Sequence, residues 1–269
     1  MTAKTSKIIE NYIIENYNNM NRKEMIHNTG VSNRVIRRVV IENNIISKSS
    51  KIYNVNENYF ENIDTEEKSY WLGFLYADGY VRMKNDRSGE LKLKLKRSDK
   101  NHIELFKKCL GSTHKITDGI SNVTVSGRTY TSLYSVISIY NKKIVQDLMN
   151  IGCTNNKTFN INMPLLKNDF IRHFIRGYFD GDGTICKYKK KSIFSFTSGS
   201  LIFLEQIQNI MCENITLNKL KISNYKSYHR FGWTMKNDIN NIYSYLYDNT
   251  NIYLNRKKII FEKIINTNE

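Results

Sequence analysis

The residues best placed to do chemistry are two aspartates, each closing an apolar run. Asp78 ends Tyr70-Trp71-Leu72-Gly73-Phe74-Leu75-Tyr76-Ala77-Asp78-Gly79, and Asp182 ends Phe174-Ile175-Arg176-Gly177-Tyr178-Phe179-Asp180-Gly181-Asp182-Gly183. A single Asp-Gly ordinarily marks a turn or a helix stop, with glycine supplying a left-handed residue after the last turn. Here the unit recurs with its spacing intact: Gly73 and Gly177 each stand six residues before the closing glycine, Gly79 or Gly183. So long a period indicates two duplicated half-domains rather than a solenoid. The last carbonyls of a helix lack partners and carry the negative end of its dipole, and a carboxylate there adds formal charge. If the two helices pack through Gly73 and Gly177, Asp78 and Asp182 meet at one end of the seam, beside the carbonyls of Ala77 and Gly181. Hard oxygens of this kind suit Mg²⁺, or another divalent cation such as Mn²⁺, which takes one or two carboxylates and leaves its remaining positions to water and phosphate. Paired carboxylates repel unless a cation lies between them.

Both runs resemble the LAGLIDADG motif, whose last aspartate binds the catalytic metal in that family. Two motifs in one chain resemble the single-chain homing endonucleases. The second run keeps Asp180, Asp182 and Gly183; the first has Tyr76 where the family often has its first aspartate, but Asp78, at the metal-binding position, is intact. The resemblance covers residues 65–269. It implies an α+β fold of two pseudo-symmetric αββαββα halves whose antiparallel sheets form a saddle over double-stranded DNA, with the motif helices as the central interface. It further implies site-specific hydrolysis of one phosphodiester on each strand across the minor groove, leaving short 3′ overhangs, as in intron mobility. Lys142 and Lys236, each after the last strand of its half and before a helix, are placed like the family's active-site lysine, with Lys143 and Asn237 leaving the register open. Some LAGLIDADG proteins are non-cleaving regulators and some are intron RNA maturases; two intact aspartates favour cleavage. One chain supplies both carboxylates, so a monomer on a long asymmetric target is expected.

The elements that must position these residues are legible in part. Asp64-Thr65-Glu66-Glu67 reads as a capping box opening the first motif helix, and Asn168-Asp169 plays that part for the second. In Glu90-Leu91-Lys92-Leu93-Lys94-Leu95-Lys96 the leucines share one face and the lysines the other, which makes a strand with a core face and a cationic face. Arg82, Lys84, Lys92, Lys94 and Lys96, with Lys187 and Lys189 from the looser alternation at Thr184–Lys189, are the DNA-contact candidates of the sheets. Helices are expected near His102–Leu110 and Leu201–Cys212, with further strand pairs near Thr129–Tyr140 and Leu220–Met235.

The first residues read differently. A helix near Ser6–Tyr17 places Ile8, Ile9, Tyr12 and Ile13 on one side, and Arg22 to Val40 resembles a helix-turn-helix turning at Gly30 with Ser32 as N-cap. Its second helix would turn Val35, Ile36, Val39 and Val40 inward and Asn33, Arg34, Arg37 and Arg38 toward a major groove. The expected organisation is a small all-α domain at 1–46, a linker at 47–64, and halves at 65–155 and 156–269.

Bulk composition agrees. The 269 residues carry 41 Lys+Arg against 25 Asp+Glu, a net +16, which favours phosphate through counterion release. Cys109, Cys153, Cys186 and Cys212 form no close pair, and the five histidines are scattered, which argues against a zinc ribbon or a disulfide framework. No apolar run reaches the ~18 residues that span a bilayer, and no signal-peptide core follows the initiating methionine, so a soluble intracellular protein of bacterial, phage or organellar origin is expected.

Overall fold

The computed structural model describes residues 6–45, 53–85, 88–154, 161–188 and 191–266. The chain divides into two compact units, 1–53 and 54–269. In the small unit, α1 (Lys7–Asn16), α2 (Arg22–Thr29) and α3 (Asn33–Glu42) close on a core of Ile13, Met25, Ile36 and Val39. Ile8, expected on one side of the helix with Ile13, is 80% exposed: five residues place it roughly 140° around the helix from Ile13. Asn21 and Glu24 make the reciprocal capping box of α2, and Gly30 takes the left-handed conformation (φ 67°) that turns the chain into α3. Ser32 occupies the N-cap position of α3 in an extended conformation, but its side chain makes no capping bond.

The large unit is built of two halves with the same element order. The first is α4 (Glu66–Asp78), β1 (Gly79–Asn85), β2 (Ser88–Lys96), α5 (Lys100–Cys109), β3 (Ile116–Val125), β4 (Arg128–Tyr140) and α6 (Lys142–Asn150). The second is α7 (Asn168–Asp182), β5 (Thr184–Tyr188), β6 (Lys191–Ser198), α8 (Leu201–Asn214), β7 (Ser223–Asn224), β8 (His229–Trp233) and α9 (Lys236–Tyr247), followed by α10 (Asn255–Asn266). Each half forms a four-stranded antiparallel sheet, ordered β1-β2-β4-β3 and β5-β6-β8-β7. The alternation of β2 has the expected consequence: Leu91, Leu93 and Leu95 are buried beneath helices, while Lys94 and Lys96 are exposed on the other face.

Three features depart from the sequence reading. Thr129–Tyr140 is a single strand, and its partner β3 was not anticipated; beyond Gly119 most of β3 is exposed on both faces, so it lacks a period-two signal. Ser126 and Gly127, both at positive φ (49° and 77°), close the hairpin as a two-residue loop. In the second half the corresponding hairpin shrinks to two residues in β7 and five in β8. Finally, much of the expected linker lies within the large unit: the Asn56 amide bonds to the Leu110 carbonyl, the Thr113 amide bonds to Asn54, and Phe60 is fully buried.

Candidate catalytic and nucleic-acid site

The motif helices α4 and α7 pack directly on each other. A Cβ placed on Gly73 would strike the carbonyl of Phe174, and one on Gly177 would strike that of Tyr70, so each glycine admits the other helix's backbone. Ser69 adds a hydrogen bond across the seam, its hydroxyl donating to the Phe170 carbonyl at 2.7 Å. At the helix starts, Thr65 caps α4 by accepting from the Lys68 amide, but no capping box forms: with Thr65 rather than Asp64 as N-cap, the N3 position falls on Lys68, and Glu66 and Glu67 bind Arg176 and Tyr59. The start of α7 has no side-chain cap: Lys167, not Asn168, holds the N-cap position. The closing glycines correct the expected reason for their presence. Gly79 and Gly183 are extended, with φ −77° and −71°, and a Cβ on either would lie 2.6 Å from the carbonyl oxygen four residues earlier. Space, rather than a left-handed backbone, demands glycine there.

Asp78 and Asp182 end the two helices, and both are exposed. The Asp78 Oδ2 lies 3.5 Å from where a Cβ on Gly181 would stand, so the carboxylate reaches across the seam. At the end of α7 sits a lysine that the sequence reading did not single out. The Lys257 ammonium, from α10, donates to the carbonyls of Phe179 and Gly183 and, at 3.2 Å, to that of Gly181. Burial pushes its pKa down to about 8, against the opposing pull of Asp180, Asp78 and Asp182. One signal for it was present: Lys257, Phe261 and Ile264 form the buried stripe of α10, so a lysine stands where the helix period calls for an apolar residue. Lys142 and Lys236 are exposed first residues of α6 and α9. The pocket at Lys142 is lined by Glu57, Tyr140, Asn141, Lys143, Gln146 and Asp147, without either motif aspartate.

Asp180, two residues from Asp182, faces the opposite way and is fully buried. It accepts from the Tyr70 hydroxyl (2.8 Å), the Tyr247 hydroxyl (2.6 Å) and the Leu254 amide (2.7 Å). Burial raises its pKa, while Lys257 and these three donors pull it back. Tyr70 spends its proton on Asp180, so the His102 Nε2, 2.9 Å away, must donate to the tyrosine oxygen, in keeping with a pKa that burial drives to about 3. Arg176, also fully buried, binds Glu66 at 2.7 Å and the carbonyls of Leu246 and Ile252. This charged network ties α7 to α4, α9 and the segment leading into α10.

Among the described residues no cluster of three or more His, Cys, Asp or Glu side chains could hold a metal. The candidate donors at the seam are two carboxylates, Asp78 and Asp182, with the carbonyls of Ala77 and Gly181 expected beside them. That set fits Mg²⁺ by donor type and by its need to keep water and phosphate positions. The Gly181 carbonyl, expected as a ligand, already accepts from Lys257, but an sp² oxygen keeps a second lone pair.

The strand candidates divide by face. Tyr80, Arg82 and Lys84 share with Lys92, Lys94 and Lys96 the face turned away from the helices, and three of these lysines lie over tyrosine rings: Lys94 at 3.8 Å from the centroid of Tyr134, Lys84 at 4.5 Å from Tyr140, and Lys92 at 5.2 Å from Tyr80. Lys187 is placed otherwise: two residues from buried Ile185, it shares the core-side face of β5. Lys189 lies outside the described residues. In the small unit Asn33, Arg34 and Arg37 are exposed on α3, and Arg38 is half-buried with Glu42 at 3.7 Å.

Residues 169–259 match the family model described as a LAGLIDADG-like domain. The chain carries the LAGLIDADG fold. The homing endonuclease I-WcaI, solved bound to its DNA recognition sequence, superposes with a TM-score of 0.52 at 13% identity, covering 81% of this chain and 96% of that one. The meganuclease I-SmaMI, solved bound to uncleaveable DNA, gives 0.47 at 12% identity over 73% of this chain and 89% of that one. No curated protein matches the chain. The family match lies wholly in the second half; for the first half the superposition and the shared element order show the fold alone. Among the described residues no helix is long and apolar enough to cross a membrane.

Proposed function

We propose that this LAGLIDADG protein is a site-specific, divalent-metal-dependent endonuclease that cuts both strands of duplex DNA as a monomer. The observation that carries the reading is the pair of exposed carboxylates, Asp78 and Asp182, brought together at the ends of two helices whose glycines admit each other's backbone. Two carboxylates at two negative helix ends leave an excess of negative charge that calls for cations. Mg²⁺ bound there would activate water and stabilise the leaving oxygen. The protein's own residues do the remaining work. Asp78 and Asp182 set the ion's place, and Lys257 clamps the end of α7 through three carbonyls while keeping a positive charge beside the phosphate path. Arg82, Lys84, Lys92, Lys94 and Lys96 hold the DNA backbone against the first sheet, Lys142 and Lys236 add surface charge, and α3 of the small unit lends Asn33, Arg34, Arg37 and Arg38 to a major groove.

The decisive experiment compares wild type with Asp78→Asn and Asp182→Asn on a target recovered by selection. Each variant should lose double-strand cleavage by about 10³-fold or more while keeping specific binding. Wild-type cutting by either variant would refute the assignment. Sedimentation with the selected duplex should give one chain per duplex, and a two-chain complex on a palindrome would overturn the monomer.

A further inference from the structure

Among its described residues, the open face of the first sheet holds one side chain of the wrong sign. Amid Arg82, Lys84, Lys92, Lys94 and Lys96 stands Glu90, on the central strand β2, opposite Arg82 of β1 and Tyr140 of β4. It is only 7% exposed, covered by the lysines it binds: Lys84 Nζ is 3.2 Å from Oε2 and Lys92 Nζ is 3.2 Å from Oε1. Gly89 on one side and Leu91 on the other turn to the core, with Gly89 against Val145 of α6, so the strand's alternation commits Glu90 to the open face.

On a surface whose only task was to hold phosphate, this carboxylate would be a liability. It repels the polyanion and engages two of the cations, cancelling one unit of the charge that would otherwise release counterions. An ionised carboxylate is an acceptor only, and the major groove offers it exocyclic amino groups, with cytosine N4 the usual partner of a glutamate. The remaining edge of the same base pair, guanine O6 and N7, presents two acceptors that suit a lysine. Glu90 flanked by Lys92 and Lys84 therefore matches the donor and acceptor row of one C·G pair, acid to cytosine and ammonium to guanine. Resting on the endonuclease reading, we propose that Glu90, with Lys92 and Lys84, is a base-reading group that selects a C·G pair in the part of the target covered by the first sheet. Without DNA the two lysines satisfy the carboxylate; on DNA one turns to guanine and the other to phosphate, and the oxygens of Glu90 are freed for the base edge.

The test is selection from a randomised duplex library with the full chain, wild type beside Glu90→Gln, Glu90→Asp and Lys92→Ala, with the fold of each checked by thermal melting. The wild type should select a motif with one C·G pair that Glu90→Gln relaxes by about tenfold, other positions holding their preference. Glu90→Asp, one methylene shorter, should weaken preference at that same pair, and Lys92→Ala should weaken it too. A Glu90→Gln protein that binds all sequences more tightly with its motif unchanged would show that the carboxylate only balances charge, overturning the inference and leaving the endonuclease reading standing. A wild type that selects no motif would overturn both.

Discussion

The two halves of the large unit solve one problem with different chemistry. Each must tie its motif helix to the segment that follows its last sheet helix. In the first half Tyr76 does so with one neutral bond, its hydroxyl donating to the Ile151 carbonyl at 2.6 Å. In the second half the corresponding position is Asp180, held by two tyrosines and the Leu254 amide, with Lys257 as the neighbouring charge. The sheets differ in the opposite sense: the first carries the long hairpin and the dense cationic face, the second a short hairpin and few charges. Duplication has thus left one half with the cationic sheet face and the other with the charged network at the seam.

Removing the charge at the second tie and the bond at the first should separate them most. Asp180→Asn leaves Lys257 without its buried counter-charge and should cost about 3 kcal/mol, whereas Tyr76→Phe should cost about 1 kcal/mol. Paired denaturant melts measure both; equal losses would mean that the halves are tied alike.

The comparison sharpens next at the lysines. Lys257→Met should slow cleavage by about 10²-fold, a barrier change of about 2.7 kcal/mol, while Lys142→Ala and Lys236→Ala each change it by less than about threefold. Single-turnover rates at saturating DNA would decide, and a hundredfold loss at Lys142 or Lys236 would return the active-site lysine to the position expected from family resemblance. A smaller effect is expected from deleting residues 1–46: affinity for the full target should fall by roughly tenfold, with single-turnover cleavage preserved at high protein concentration. Unchanged affinity would remove the helix-turn-helix from the DNA contacts.

How much of this the sequence disclosed follows from where periodicity survives. The motif helices, β2 and the turn at Gly30 each carry a strong local signal, and each formed as read. β3 did not show because much of its length has no buried face, and periodicity records burial rather than pairing. The placement of Asp78 and Asp182 at the ends of two matching helices was legible because a repeat exposes itself. Lys257 was hidden in Arg256-Lys257-Lys258, a run that reads as a solvated face until Phe261 and Ile264 are known to define the inward stripe. The role of Asp180 depended on Tyr70, Tyr247 and Leu254, remote partners that no local pattern announces.

The smallest effect concerns acid. Burial holds His102 neutral with a pKa of about 3, whereas unfolded histidine titrates near ~6.5. Between those values the unfolded chain binds the extra proton, so stability is full above about pH 6.5 and is lost as pH falls toward 3. From pH 7.5 to 5.5 the loss from this site should be about 1.4 kcal/mol, and His102→Gln, which can still donate to Tyr70, should show a shallower decline in urea melts. A decline identical to wild type would place the acid sensitivity elsewhere.

The paired glycines of the seam also act as a gauge. Because Gly73 and Gly177 rest on each other's helix backbone, the gap between Asp78 and Asp182 is fixed by the absence of two methyl groups. For the proposed endonuclease, that gap must match the width of the groove it spans. Outer surfaces can drift to new targets while this inner measure stays set, so halves from different members of the fold should combine into a working chain only where both glycines are kept.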